Sequence, residues 1–493
     1  MGDVGFVQYA SGSMQQHRPM HKPPSDTPLP PTRTLPATPP APWWGIPALR
    51  HMRADYLGFV TTLQQRHGDL TRMRLVYEDA WDLMSPDLVR EALVTHANRL
   101  IRWERGISVF EQVFGQSVLV TEGATWQRQQ RMLMPAFSPK RVAGYAALMT
   151  DAAAQRLDDA VPSGQAEALV TMDTLWTDVT MDVILRTLFS TSAQADARGA
   201  SWVTQTLSAI AFDEMFVPFS LPDWLPLPGK ARKRRALRLL RQLVQRHIDQ
   251  RQGRTEDSPA HTDLLHMLLA LRNETGGEAL SAQEVFDQCM VSFQAEHETS
   301  ATALLWWSRL LAEHPAAAQR AQKEVDDVLA GGTPGPEHLG QLPWLTATLK
   351  EAMRLYPPVA ALMSRRTVAP LSLGDCTVPA GAMLRITPWV LHRDERWFPQ
   401  ARQFLPERFL EGAPPIPKGA WMPFGAGPRV CIGQHFAMLE MTLLAAMLLQ
   451  RYTLRMDDAA APCQPQLHVT LRPSRPTALW LTRRSALRGN SLR

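Results

Sequence analysis

The sequence predicts a mainly α protein, a large helical body with a small β region at one side. Three observations carry that expectation. Apolar residues recur at spacings of three and four through LGFVTTLQQRH, DLVREALVTHA and TLWTDVTMDVILRTLF, which gives each segment one side to bury. Glu284 to Glu313 is a longer apolar-rich stretch with few breakers, suited to run through a domain rather than over its surface. Strand-like alternation is confined to short pieces interrupted by glycine and proline.

Taken in order, residues 1–43 are polar and then proline-rich, ending in LPPTRTLPATPPAPWW. Repeated proline removes backbone donors and fixes φ, so this leader is expected to be extended and flexible, with residues 44–493 forming one folded domain. LTRMRLVYEDAWDLMS near the front and LHVTLRPSRPTALWLTRR near the end read as short strands. LSLGDCTVPAGAMLRITPWVLHRD reads as a small hairpin broken by Gly374, Pro379 and Gly381. KARKRRALRLLRQLVQRHIDQR predicts a helix with Leu237, Leu240, Val244 and Ile248 on one stripe and a charged, solvated outer face. Ser281, followed three residues later by Glu284, is the expected capping box of the long helix. No repeat of fixed period appears, which argues against a solenoid.

Composition narrows the class further. Among 493 residues, 45% are hydrophobic and 20% charged, which excludes a disordered or fibrous chain. Lysine and arginine number 52 against 47 acidic residues, without the basic stripes and interleaved aromatics of a nucleic-acid binder. The four cysteines, Cys289, Cys376, Cys431 and Cys463, show no C-x-x-C pairing. Neither a zinc ribbon nor a disulfide framework is indicated, and such usage suits a reducing cytoplasm. The first residues lack a signal peptide, and no run of about eighteen apolar residues suggests a transmembrane anchor. A soluble, cytoplasmic chain is expected.

The most informative stretch is WMPFGAGPRVCIGQHFAMLE, where Phe424, Gly427, Arg429, Cys431 and Gly433 stand as F-x-x-G-x-R-x-C-x-G. Glycines allow a tight bend and close approach to a flat ligand. Apolar residues after Gly433 recur with helical spacing, so Cys431 is expected at a helix N-terminus, where amides and the helix dipole favour a thiolate. A lone cysteine is usually a small buried hydrophobe; five specified positions within ten residues argue against that here. The segment resembles the haem loop of the cytochrome P450 family.

That resemblance implies haem b (iron protoporphyrin IX) with the Cys431 thiolate as axial iron ligand, Arg429 paired with a propionate and Phe424 shielding the sulfur. Other family signatures stand in the usual order. Glu351 and Arg354 supply an E-x-x-R pair, ended by Tyr356-Pro357-Pro358, and FLPERF places Arg408 to join them. By resemblance these three form a buried structural network. Ala295-Glu296-His297-Glu298-Thr299-Ser300 is similar to the family's acid–alcohol pattern. Thr299 is expected to interrupt the helix ladder and hold a water or reduced oxygen, Glu298 to pass protons, and Ala295 to face the haem. Glu296 departs from the usual glycine. EGATWQRQQRM resembles the tryptophan helix, with Trp126 bound to a propionate. Gln130 stands where that pattern has arginine, with Arg128 or Arg131 as candidates to compensate. Arg365, preferred over Arg366, is expected at the other propionate.

The resemblance, running from about residue 45 onward, implies a P450 catalytic domain closest to the fatty-acid and eukaryotic-like branch. It implies a monooxygenase that inserts one oxygen atom of O2 into a lipophilic small molecule such as a fatty acid, terpenoid or polyketide-like metabolite. No flavin or iron–sulfur segment follows, so electrons are expected from NAD(P)H through a separate reductase and a ferredoxin or flavodoxin. The modest basic balance suits an acidic partner of that kind. Phe293, Ala295, Leu362 and Met363 are candidates for the pocket lining. The alternatives are a peroxygenase or isomerase that needs no external reductant, and a non-enzymatic haem-binding protein.

Overall fold

The computed structural model describes residues 36–191, 197–217, 224–225, 227–252, 263–272, 279–458 and 463–484. Of the expected leader, residues 1–35 lie outside the described residues. Its last part is docked on the body: Ala37 bridges Thr71, and the Arg72 N–H donates to the Ala37 carbonyl at 2.9 Å.

Nine helices position the site. They are α1 (Glu104–Phe114), α2 (Gly123–Leu133), α3 (Ala146–Asp158), α4 (Met172–Phe189), α5 (Ala197–Met215), α6 (Pro228–Gln252), α7 (Ala282–Glu313), α8 (Pro343–Leu355) and α9 (Gln434–Arg451). The long helix α7 opens as its sequence predicts. The Ser281 hydroxyl accepts from the Glu284 N–H at 3.1 Å, and the Ser281 N–H donates to the Glu284 carboxylate at 2.9 Å. These bonds satisfy donors that a helix start otherwise leaves orphaned.

α7 is central: α4 lies along it, and α1, α6, α8 and α9 pack against it. Three buried indole N–H groups fix it in place. Trp176 of α4 donates to Ser308 at 2.8 Å, Trp307 to Thr348 of α8 at 2.9 Å, and Trp306 to the Leu471 carbonyl at 2.7 Å. A buried indole with no acceptor is costly, so each bond selects one register.

Two cores flank the middle of α7. One joins α3, α4, α8, α9 and the second half of α7. The other joins α1, α4, α5, α6 and the first half of α7, and it takes in the α6 stripe of Leu237, Leu240, Val244 and Ile248. Each such side chain, fully buried, contributes roughly 1.5–3 kcal/mol.

The sheets are small. The largest has the order β1-β2-β8-β5-β3, built from β1 (Leu70–Leu75), β2 (Glu78–Leu83), β3 (Leu100–Arg102), β5 (Arg365–Thr367) and β8 (Met383–Ile386). Only its β2–β8 pair is parallel. β4 (Glu167–Thr171), β12 (Ala478–Arg483) and β9 (Tyr452–Met456) form a second sheet in that order, while β10 (Pro465–Leu467) and β11 (Leu471–Pro473) form a hairpin.

Two expectations need correction. The predicted hairpin closes only between β6 (Leu371–Leu373) and β7 (Cys376–Val378); β8 leaves it because its four residues are all buried and pair with β2 and β5. DLVREALVTHA is not one α-helix: it ends at Arg90 and continues as a wider turn over Glu91–Thr95. Among the described residues no helix is long and apolar enough to cross a membrane.

Candidate active site

The gap between the two cores is a cavity of about 540 Å³, with α7 along one wall and the cysteine loop along another. Its lining is mostly apolar and includes Phe110, Phe212, Ala295, Leu362 and Met363. Phe293, expected to line it, instead lies wholly within the core above α7; helical rotation turns it away from the side that carries Ala295.

The cysteine loop owes its shape to a glycine. Gly427 has φ +72°, and a Cβ there would sit 2.0 Å from the Leu93 carbonyl oxygen. The wide turn at Glu91–Thr95 supplies that carbonyl. The Cys431 N–H donates to the Phe424 carbonyl and the Val430 N–H to Gly427, at 2.9 and 3.0 Å, so the loop folds back on itself. Gly433 differs from expectation: its φ of −86° is ordinary, and a Cβ would meet the Cys431 sulfur at 3.8 Å. What it supplies is room beside the sulfur.

Cys431 lines the cavity and is a free, solvent-exposed cysteine. It stands two residues before Gly433, the N-cap of α9. The helix-end effect is real but small: burial pushes the Cys431 thiol up, and the Gly433 amide only partly opposes it. The expected thiolate therefore needs more than a helix terminus; coordination to a metal cation deprotonates a thiol outright.

At one edge of the cavity three arginines converge. Arg102, Arg365 and Arg429 all line it, and Glu122 is the acid acting on each of them. Arg429 donates to the Glu122 carboxylate and, at 3.0 Å, to the Thr121 carbonyl; Arg102 lies 3.5 Å from Glu122. Burial and mutual repulsion push Arg429 down to about 9 and Arg365 to about 10. The Nη1 atoms of Arg102 and Arg429 are buried and make no hydrogen bond, that of Arg102 having only the ion-pair contact with Glu122. Three cations, one acid and two orphaned donors fit a dianionic group, as the two propionates of haem require.

Trp126 lines the same edge, its ring 3.8 Å from the Arg429 guanidinium carbon. Arg366 points away, to Glu78 and Glu104, which leaves Arg365 as the cavity-facing member of the pair. Gln130 donates to the Pro428 carbonyl at 3.0 Å and so braces the cysteine loop. Arg128 does not compensate for it, being bound to Glu284 and the Ala279 carbonyl. Arg102 is the cation that sequence reasoning missed; it is one arginine among many until β3 pairs with β5 and carries it beside Arg365.

On α7 the structure corrects one expectation. The helix runs unbroken through Thr299, whose hydroxyl donates back to the Ala295 carbonyl at 2.7 Å. That bond stays within the ladder rather than opening it. Glu298 lines the cavity and is held by the Ser208 and Thr470 hydroxyls, at 2.6 and 2.7 Å, and by Arg472 at 3.4 Å. His297 is fully buried; burial pushes it down to about 3, so it is neutral, and it stacks on Phe293.

Glu351 and Arg354, both fully buried, pair at 2.7 Å, and Arg408 reaches Glu351 at 3.4 Å. Arg354 also donates to the carbonyls of His392, Ala401 and Gln403. Nearby, His392 accepts from the Met422 N–H at 2.9 Å while its other ring nitrogen lies 3.2 Å from the Arg354 carbonyl. This second residue missed in the sequence links α8 to the start of the cysteine loop. Nothing in its sequence surroundings marks it.

Comparison with known proteins agrees with this geometry. A family model described as cytochrome P450 matches residues 35–480. The chain is 34% identical to a cyclooctat-9-en-7-ol 5-monooxygenase of Streptomyces melanosporofaciens, over 85% of this chain and 91% of that protein. It is 32% identical to a cyclooctatin synthase of the same organism, over 87% and 93%. A cytokinin hydroxylase of Arabidopsis thaliana is 32% identical over 75% of this chain and 73% of its own length. A match of this extent, together with the cysteine loop and its arginine-lined cavity, shows that the chain belongs to the cytochrome P450 family, haem-binding monooxygenases.

Proposed function

We propose that this enzyme oxygenates a neutral, terpenoid-like substrate, with Cys431 as the iron ligand and electrons delivered by a separate ferredoxin or flavodoxin system. The observation that carries the substrate class is how the cavity's cations are engaged. Arg102, Arg365 and Arg429 face the propionate edge. Arg385 pairs with Asp82 at 2.6 Å, and Arg105 donates to the carbonyls of Glu214 and Val217. Among the described residues no lysine lines the cavity. A fatty-acid carboxylate would have to compete with those partners, whereas an apolar ring system meets apolar walls. The Streptomyces relative named for oxygenating cyclooctat-9-en-7-ol, a neutral cyclic alcohol, accords with that choice.

Haem bound here supplies O2 activation, in which two electrons and two protons lead to one oxygen atom in product and one in water. The chain's own residues do the rest. Arg102, Arg365, Arg429 and Trp126 would hold the haem propionates, and Phe424 would shield the Cys431 sulfur. Ala295 leaves room in the cavity, and the Thr299 hydroxyl, which donates to the Ala295 carbonyl, can accept a hydrogen bond from a cavity water. Glu298, tied to α5 and to the segment leading into β11, fixes the roof over the substrate. The four cysteines form no disulfide, which supports a reducing compartment such as the cytoplasm.

The test has two parts. Reduced, CO-bound protein should show the red-shifted Soret band of a thiolate-ligated haem, and Cys431→Ala should lose it. With a surrogate ferredoxin and reductase, neutral terpenoid alcohols should give substrate-induced spin shifts and hydroxylated products. A panel in which only free fatty acids do so would overturn the substrate reading.

A further inference from the structure

Between α7 and α9 lies a pair of acids with no task in the scheme above. Glu296 stands where the family pattern has glycine, and it is one of the residues lining the cavity. Both of its carboxyl oxygens are nevertheless buried without a hydrogen-bond partner. Glu440 of α9 is fully buried, and both of its oxygens are in the same condition. The groups acting on Glu296 are burial and Glu440; those acting on Glu440 are burial, the Ser300 hydroxyl and Glu296. No basic side chain is among them. Glu298, two residues along α7, contrasts with this, since it accepts from two hydroxyls and an arginine.

Four buried acceptor oxygens, with no basic side chain among the described residues acting on them, do not suit two carboxylates. Each uncompensated buried charge costs several kcal/mol, and two acids in contact resolve this by retaining a proton between them. The donor missing from the site is then a carboxyl O–H. Burial pushes both groups above the usual carboxylate range; Glu440 raises Glu296 further, while hydrogen bonding from Ser300 and Glu296 partly opposes the rise at Glu440, as a proton carried on Glu296 requires.

We propose that Glu296 and Glu440 keep one proton between them at neutral pH and that Glu296 releases it into the cavity beside Thr299, so that the pair is a proton store for the oxygenation. This rests on the monooxygenase reading, whose balance (substrate RH plus O2, two electrons and two protons giving ROH and water) consumes two protons per product. Rotation of the Glu296 side chain brings its carboxyl from the helix interface into the cavity that this residue already lines. The O–H bond of Glu296 breaks, the proton passes to a cavity water, and Glu296 is left as a carboxylate facing water. Glu440 stays behind at the helix interface, with the Ser300 hydroxyl as the neighbouring group that favours its charged form. One proton from cavity water then resets the pair, with no change of oxidation state at either acid. Glu296 is thus a proton donor to the site, and Glu440 a positioning residue acting through it.

Infrared spectroscopy of the ferric holoenzyme tests the store without turnover. Near pH 7 the wild type should show the carbonyl stretch of a desolvated carboxylic acid, shifted in D2O and absent from the double variant E296Q/E440Q. Turnover tests the release. E296Q should divert electrons to hydrogen peroxide and lower product formed per NAD(P)H by at least about tenfold, at the small end of what a positioned proton donor contributes. Haem content and the reduced CO spectrum should be unchanged, and E296D should recover part of the loss. Absence of the carbonyl band in the wild type overturns the store, and E296Q with wild-type coupling overturns the release. A wild type that shows the band yet oxygenates nothing would count against the monooxygenase reading instead. If E440Q does not fold, E296Q alone still decides the release.

Discussion

At the scale of single residues, the cysteine loop shows how few side chains set the site. Gly427 is irreplaceable for two reasons: its φ is +72°, and the Leu93 carbonyl occupies the space a Cβ would need. Gly427→Ala therefore meets backbone strain of about 1–3 kcal/mol and a steric clash together. The loop should shift away from Leu93, carrying Arg429 and Cys431 with it. The expected outcome is a folded helical protein that takes up haem poorly, read as a fall in Soret absorbance per mole at near-wild-type far-UV circular dichroism. Unchanged haem content would show that the loop's path does not depend on this glycine. The residues of this loop were legible in the sequence because each is specified by chemistry at fixed spacing. Arg102 and His392 were not, because their roles arise from partners 263 and 38 residues away: Arg102 pairs across strands with Arg365, and His392 lies against Arg354. Sequence spacing carries no record of such meetings.

At the scale of elements, α7 was the most legible because its capping box and its unbroken apolar composition act locally. The turn at Glu91–Thr95 was the least. Its helical periodicity is sound, yet the Leu93 carbonyl has to meet Gly427, and tertiary packing overrides the local preference there. β8 was misplaced for a related reason: strand alternation predicts a strand but not its partner, and this one pairs with β2 across some 300 residues. The cap yields a prediction that separates helix stability from site chemistry. Ser281→Ala removes the acceptor for the Glu284 N–H and should cost about 1 kcal/mol. Urea unfolding should show a lower midpoint at unchanged slope, while the reduced CO spectrum stays as in the wild type. A spectral change would mean that the start of α7 communicates with the haem side, which the core packed between them argues against.

At the scale of the whole molecule, buried histidines couple the fold to pH. His392 joins α8 to the cysteine loop, and His297 lies at the centre of α7; burial pushes both down to about 3, aided by nearby arginines. The neutral ring is required at His392, since one nitrogen accepts the Met422 N–H. In the unfolded chain each imidazole returns to the ordinary value of 6.5. Between 6.5 and about 3 the unfolded state thus binds more protons than the native one, and stability falls as pH falls. Each ring contributes a slope of up to about 1.4 kcal/mol per pH unit in that window and nothing above it. Chemical denaturation of the holoenzyme from pH 8 down to pH 4 should show a plateau that gives way below about pH 6.5. His392→Gln keeps the side-chain acceptor for the Met422 amide but cannot be protonated, so its stability should decline less steeply with acid. Equal slopes for the variant and the wild type would mean that acid acts elsewhere, and the tie between α8 and the haem loop would then have to hold with a charged imidazole.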